Sequence, residues 1–208
     1  MALFAAALLL TAHSAGYVRA DHSGHPFGST ANCSDPPGKI PANCVSVGNT
    51  MFHYVYVSPL VTGDLRQSLL DTIWQDYNPT DLTMSTETTI SSLTDVEAYA
   101  ADYNDNGVAG WVVCPADSPQ GINAHSDRWC QKQEMRFNKD PIFAAFFADD
   151  PSRDHIVCHE LGHTLGLQHW GNPPASPSPT AATCMNVNTP NGPVNLHQTD
   201  KDHINGYY

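Results

Sequence analysis

Apolar and polar residues alternate along 52–57, with His53, Val55 and Val57 on one side and Phe52, Tyr54 and Tyr56 on the other. A period of two is that of a half-buried strand, so this stretch is expected to enter a sheet. Further on the period lengthens: Leu65, Leu69, Leu70 and Ile73 recur at helical spacing through 64–74, which predicts an amphipathic helix packed on that sheet. The run 81–101 is rich in threonine, serine and valine, as extended structure would be. Two more strands are expected at 109–114 and 134–138, separated by a Gly- and Pro-bearing loop over 115–127 that closes at Arg128, Trp129 and Cys130. Asp149, Asp150 and Pro151 mark a helix start, an acidic cap with a proline in the first turn, and the helix runs on through Ile156, Val157 and Leu161. Beyond it, 171–180 is too dense in proline and serine for a regular element, and 196–208 is expected to end the domain as a short helix.

Composition narrows the class. The 208 residues fall within the length of one domain, and 41% hydrophobic with 14% charged is a globular balance able to bury a core. A net charge of -12 with no basic patch argues against nucleic acid or an anionic membrane surface as partner. The chain opens on an apolar run to about residue 15, and Val18, Arg19 and Ala20 read as a small-residue cleavage site ahead of Asp21. Residues 1–20 are therefore expected to be a secretory signal peptide, too short to remain as a membrane span. Residues 21–49, rich in Gly, Pro, Ser and Asn, are expected to form an irregular arm ahead of a folded domain over 50–208.

Six cysteines in an exported chain, with no C-x-x-C pair, read as three disulfides and not as a thiolate metal site. Order along the chain favours Cys33 with Cys44, Cys114 with Cys130 and Cys158 with Cys184, while other pairings stay open. The hexapeptide 102–107 matches the opening of a calcium loop, but the twelfth position of such a loop would be Val113 where a glutamate is needed. A turn before the strand at 109–114 is the expectation.

The densest chemistry lies in 158–170, which reads Cys-His-Glu-Leu-Gly-His-Thr-Leu-Gly-Leu-Gln-His-Trp. On a helix, His159 and His163 stand about 40° apart around the axis, so both imidazoles face one point, the geometry of a chelate. Glu160 lies about 100° from His159, where its carboxylate can flank a metal and take a proton from a water bound to it. Gly166 falls where the helix should end, and a left-handed turn there can bring His169 back as a third ligand. Three neutral nitrogens leave one tetrahedral position open, the mark of a catalytic zinc site. His155 also precedes His159 by four residues, but Ile156 stands where the glutamate would follow, so His155 reads as a helix-surface residue.

The segment HELGHTLGLQH at 159–169, with Cys184-Met185-Asn186 downstream, resembles the metzincin metallopeptidases and looks most like their matrixin-type members. The resemblance covers about 145–188, and Trp170 stands at the position where the subfamilies differ. It implies that His159, His163 and His169 are zinc ligands, that Glu160 is the general base, and that Met185 lies in a turn under the metal. It implies an α+β fold: a small twisted mixed sheet, a zinc-binding active-site helix and a C-terminal helix, with 50–208 as the catalytic domain. Such a chain would be a secreted, extracellular zinc endopeptidase that takes a protein or peptide substrate and works as a monomer. In that family the stretch between the third histidine and the methionine turn borders the substrate pocket, which makes 171–180 a candidate determinant of side-chain preference. Stacking the methionine turn beneath the zinc helix would also bring Cys184 to Cys158. Two other readings are a hydrolase of a non-peptide amide and a secreted zinc-binding module without turnover. The presence of Glu160 speaks against the second, because a pure binding site needs no base.

Overall fold

The computed structural model describes residues 48, 50–104, 107–115, 117–122, 128–167, 169, 183–186 and 192–208. Strand β1 (Phe52–Val57) follows the alternation, burying His53, Val55 and Val57 while Phe52, Tyr54 and Tyr56 are more exposed. Helix α1 (Gly63–Thr72) lays Leu65 and Leu69 into the core. Leu70 is only half-buried and Ser68 takes a buried place instead, because the buried face is set by what packs against it and not by apolar spacing alone. The helix does not end at Trp74. It continues as a π-helical turn, Ile73–Tyr77, which leaves Trp74 71% exposed and carries Asp76 and Tyr77 inward.

The extended run splits into β2 (Thr83–Glu87) and β3 (Thr94–Ala101), which flank β1 on either side and run parallel to it. The register against β3 slips between Tyr54 and Val55, and the Asp95 carboxylate fills that irregularity by accepting the Tyr54 N–H at 2.9 Å. Strand β4 (Gly110–Val113) pairs antiparallel with β7 (Gln133–Asn138), which pairs parallel with β3. The result is a five-stranded mixed sheet in the order β2-β1-β3-β7-β4. The loop expected over 115–127 holds a strand: β5 (Gln120–Ile122) pairs antiparallel with β6 (Arg128–Cys130). Three residues carry too little periodicity to be seen, and the partner strand decides them. The Cys114–Cys130 disulfide ties this hairpin to the end of β4. Within 102–107 the described residues include Asn104 (φ 60°) and Gly107 (φ 87°), both left-handed, and the Asn104 N–H is bonded to Asp102 Oδ1 at 2.8 Å.

A short 3-10 helix (Pro141–Phe146), capped by the Asp140 side chain, leads from β7 to helix α2 (Asp150–Thr164). Helix α3 (Gln198–Tyr207) follows, its first turn closed by a reciprocal cap between His197 and Asp200. Val55, Val57, Ala98, Met135 and Phe137 of the sheet meet Leu65 and Leu69 of α1, Ile156, Val157 and Leu161 of α2, and Ile204 of α3 in one core. The fold is α+β, with α2 packed along α1 and across the β4 end of the sheet. Among the described residues no helix is long and apolar enough to cross a membrane. The expected signal peptide, the greater part of the irregular arm with Cys33 and Cys44, and the pocket segment 171–180 lie outside the described residues.

Candidate metal centre

Helix α2 starts as its cap residues require. Asp149 accepts the Ser152 N–H at 3.0 Å, satisfying one of the amides that the first turn leaves without a helical partner. Its other end is a Schellman turn: Gly166 adopts φ 92°, the Gly166 N–H reaches His163 O at 3.1 Å, and the Leu167 N–H reaches Gly162 O at 3.0 Å. The reversal brings the chain back within two residues, and His169 returns to the helix face that carries His159 and His163.

The three Nε2 atoms meet. His159 Nε2 lies 2.9 Å from that of His169 and 3.0 Å from that of His163, which is 3.0 Å from His169. The protonation of two rings follows from their other nitrogens: His159 Nδ1 lies 2.8 Å from Cys184 O, and His163 Nδ1 lies 2.7 Å from Leu167 O. A carbonyl can only accept, so each Nδ1 carries the hydrogen, and each neutral ring turns a bare Nε2 lone pair into the cluster. Converging lone pairs repel unless a cation sits among them. The spacing is close to the roughly 3.3 Å edge of a tetrahedron built on zinc–nitrogen bonds of about 2.0–2.1 Å, so this donor set fits that ion.

Burial keeps the rings neutral. It holds His159 well below the ordinary histidine range, with His163 and His169 adding to the effect, and it lowers His163 to about 3 and His169 to about 4. A neutral imidazole is the form that binds a metal. Glu160 is 4% exposed, its Oε2 has no hydrogen-bond partner among the described residues, and burial pushes its pKa up to about 8. Beside a cation such a group would return toward its ionised form. Room for the carboxylate comes from strand β4, where a Cβ on Gly110 would lie 2.8 Å from Glu160 Oε1.

Beneath the helix, Met185 is fully buried against Gly162, where a Cβ would lie 2.4 Å from Met185 Sδ. The Cys158–Cys184 disulfide fastens the two segments. Thr183 Oγ1 accepts the Met185 N–H at 3.2 Å and donates to the buried Asp200 Oδ2 at 2.5 Å, so α3 also holds the turn.

His155 is not the surface residue its position suggested. It is 3% exposed, outside the cluster of three, and its Nδ1 lies 2.7 Å from Pro193 O. The return segment 192–196 covers a helix face that periodicity alone would leave to solvent. Tyr77 is a contributor with no sequence signal. The π turn swings it under α2, and its hydroxyl donates to Cys158 O at 2.6 Å, one residue before His159.

No family model matches the chain, and no curated protein matches it. Among solved structures it is similar to myroilysin, at 16% identity over 81% of this chain and 94% of that one, with a TM-score of 0.43. It is similar also to high choriolytic enzyme 1, a hatching enzyme zinc-protease of the medaka fish Oryzias latipes, at 14% identity over 86% of this chain and 92% of that one, with a TM-score of 0.41. A second myroilysin structure gives 13% identity over 69% and 55%, with a TM-score of 0.37. Identities this low say nothing about activity, and the chemistry is carried by the histidine cluster itself.

Proposed function

We propose that the chain is a secreted zinc-dependent endopeptidase of the metzincin type, matrixin-like in its motif, with His159, His163 and His169 as zinc ligands and Glu160 as general base. The observation that carries this reading is the convergence of three neutral nitrogens within 3.0 Å of one another, with a buried carboxylate on the next helical position. Zinc held there would supply a Lewis acid for the scissile carbonyl and a lowered pKa for a water.

The chain's own residues do the rest. Glu160 takes the proton of the attacking water and returns it to the departing amine, a general acid–base role open to a buried carboxyl that a neighbouring cation would hold ionised. Strand β4 is the last strand of the sheet in the described residues, and its first residue, Gly110, touches the Glu160 carboxylate. An extended peptide that adds to that edge would run past the base, with main-chain hydrogen bonds fixing its register. The disulfides Cys114–Cys130 and Cys158–Cys184 support an oxidising, extracellular setting, as does the apolar run that opens the chain.

Metal analysis of the purified protein, joined to digestion of a mixed peptide library with and without a zinc chelator, tests the reading. One zinc per chain is expected, with cleavage that stops on chelation and returns when zinc is added back. Zinc-loaded protein that cuts no peptide in the library would overturn it.

A further inference from the structure

His155, His159 and His163 stand on one line of α2, each four residues from the next, and all three make the same bond. Their Nδ1 atoms meet the main-chain carbonyls of Pro193 at 2.7 Å, Cys184 at 2.8 Å and Leu167 at 2.7 Å. For His159 and His163 the bond aims the other nitrogen into the cluster. His155 is outside that cluster, yet it is buried, with its ring centroid 5.9 Å from that of His159 and the planes at 37°. A polar ring buried without a place in the site needs another reason to be there.

What its bond holds is 192–196, a segment with no helix or strand. Among the described residues three bonds attach it: Pro193 O accepts from His155, Asn195 O accepts the Cys184 N–H at 2.9 Å, and the Leu196 N–H donates to Asp76 Oδ1 at 3.2 Å. Cys184 is the residue whose carbonyl takes the His159 hydrogen and whose sulfur is bonded to Cys158. A circuit therefore closes from His155 to Pro193, along the chain to Asn195, across to Cys184 and His159, and one turn of α2 back to His155.

We infer that His155 is a positioning residue for the metal centre, fixing 192–196 so that the Cys184 carbonyl, and through it the His159 ring, is set in its ligating orientation before metal arrives. The inference rests on the reading of His159 as a ligand. Partners that orient a ligating histidine directly are worth about 10–100-fold in metal affinity, and His155 acts through further bonds, so an effect of about tenfold is expected.

The test measures zinc affinity by competition against a chromophoric chelator, and amide exchange at Cys184 and Leu196, in wild type, His155→Leu and His155→Asn. His155→Leu should raise the zinc Kd about tenfold and speed exchange at both amides, while the amides of α3 keep their rates. His155→Asn, whose amide nitrogen sits where Nδ1 sits, should restore both readings. If the leucine variant does not fold, His155→Asn against His155→Gln carries the same comparison, since only asparagine places its donor at the Nδ1 position. A Kd within about twofold of wild type, with unchanged exchange in folded His155→Leu or His155→Gln, would overturn the inference alone. Absence of zinc from the wild-type control would instead remove the ligand reading, and the inference with it.

Discussion

Two of the places where this protein buries histidine use it differently. His53 on β1 is fully buried and the trio on and beyond α2 partly so, and burial drives His53 and His169 alike down to about 4. The surroundings differ. Among the described residues neither ring nitrogen of His53 has a hydrogen-bond partner of good geometry. The Thr50 main chain is near enough to favour the charged ring somewhat, but burial outweighs it. The ring is held by shape instead, edge-on to Tyr208 at 5.8 Å and against Gly48, where a Cβ would lie 2.2 Å from it. In the second region His159 and His163 are pinned through Nδ1, so the opposite nitrogens have one direction left to point. Burial makes a histidine neutral, and only the second bond makes it aim.

The sharpest way to break this comparison is to remove an aimed nitrogen and an unaimed one. His163→Ala should lose zinc on dialysis and all peptide cleavage with it, whereas His53→Leu should keep one zinc per chain. Metal analysis of both decides it, and equal zinc content would undo the distinction. Next in size is Glu160→Gln, which should retain zinc while turnover falls by roughly 10²–10⁴. Initial rates on a fluorogenic peptide, with metal verified, measure this, and a rate near that of wild type would take Glu160 out of the reaction.

A third expectation concerns pH. The folded His53 pKa of about 4 lies below its ordinary 6.5, so between these values the unfolded chain takes up a proton that the folded chain refuses. The stability is therefore complete above pH 6.5 and lost as pH falls toward 4, by roughly 3 kcal/mol in total. Urea unfolding of metal-free wild type and His53→Leu at several pH values isolates the effect, because the trio titrates in both and cancels. Parallel curves would show that His53 is not the group responsible. The smallest change expected is at Gly162. An added methyl there meets Met185 Sδ at 2.4 Å and the Tyr77 hydroxyl at 3.2 Å, so Gly162→Ala should cost about 1–3 kcal/mol in thermal or urea unfolding. An unchanged midpoint would mean that the floor of the site yields.

Much of this could be read from order along the chain, because the signals concerned act within a few residues. The alternation at 52–57, the cap at Asp149 with Pro151 behind it, and the glycine that ends α2 are local matters of period, orphan amides and left-handed φ. The same holds for His159 and His163, whose spacing on a helix brings them to one point in any fold. Readings that failed depended on partners far away. His155 reads as a surface residue in the sequence because nothing near it announces Pro193, 38 residues on. The strand at 120–122 was too short to declare itself without β6. Tyr77 reaches Cys158 across 81 residues by way of a π turn that no apolar period encodes, and Gly110 makes room for Glu160 from another strand.

What the sequence determined by itself was the set of donors and the helix that aligns two of them. The tertiary structure decided which nitrogen of His159 and of His163 is bare, how deeply Glu160 is buried, and what stands beneath the helix. Those depend on carbonyls and side chains supplied by distant segments, and such segments find one another only when the whole core closes.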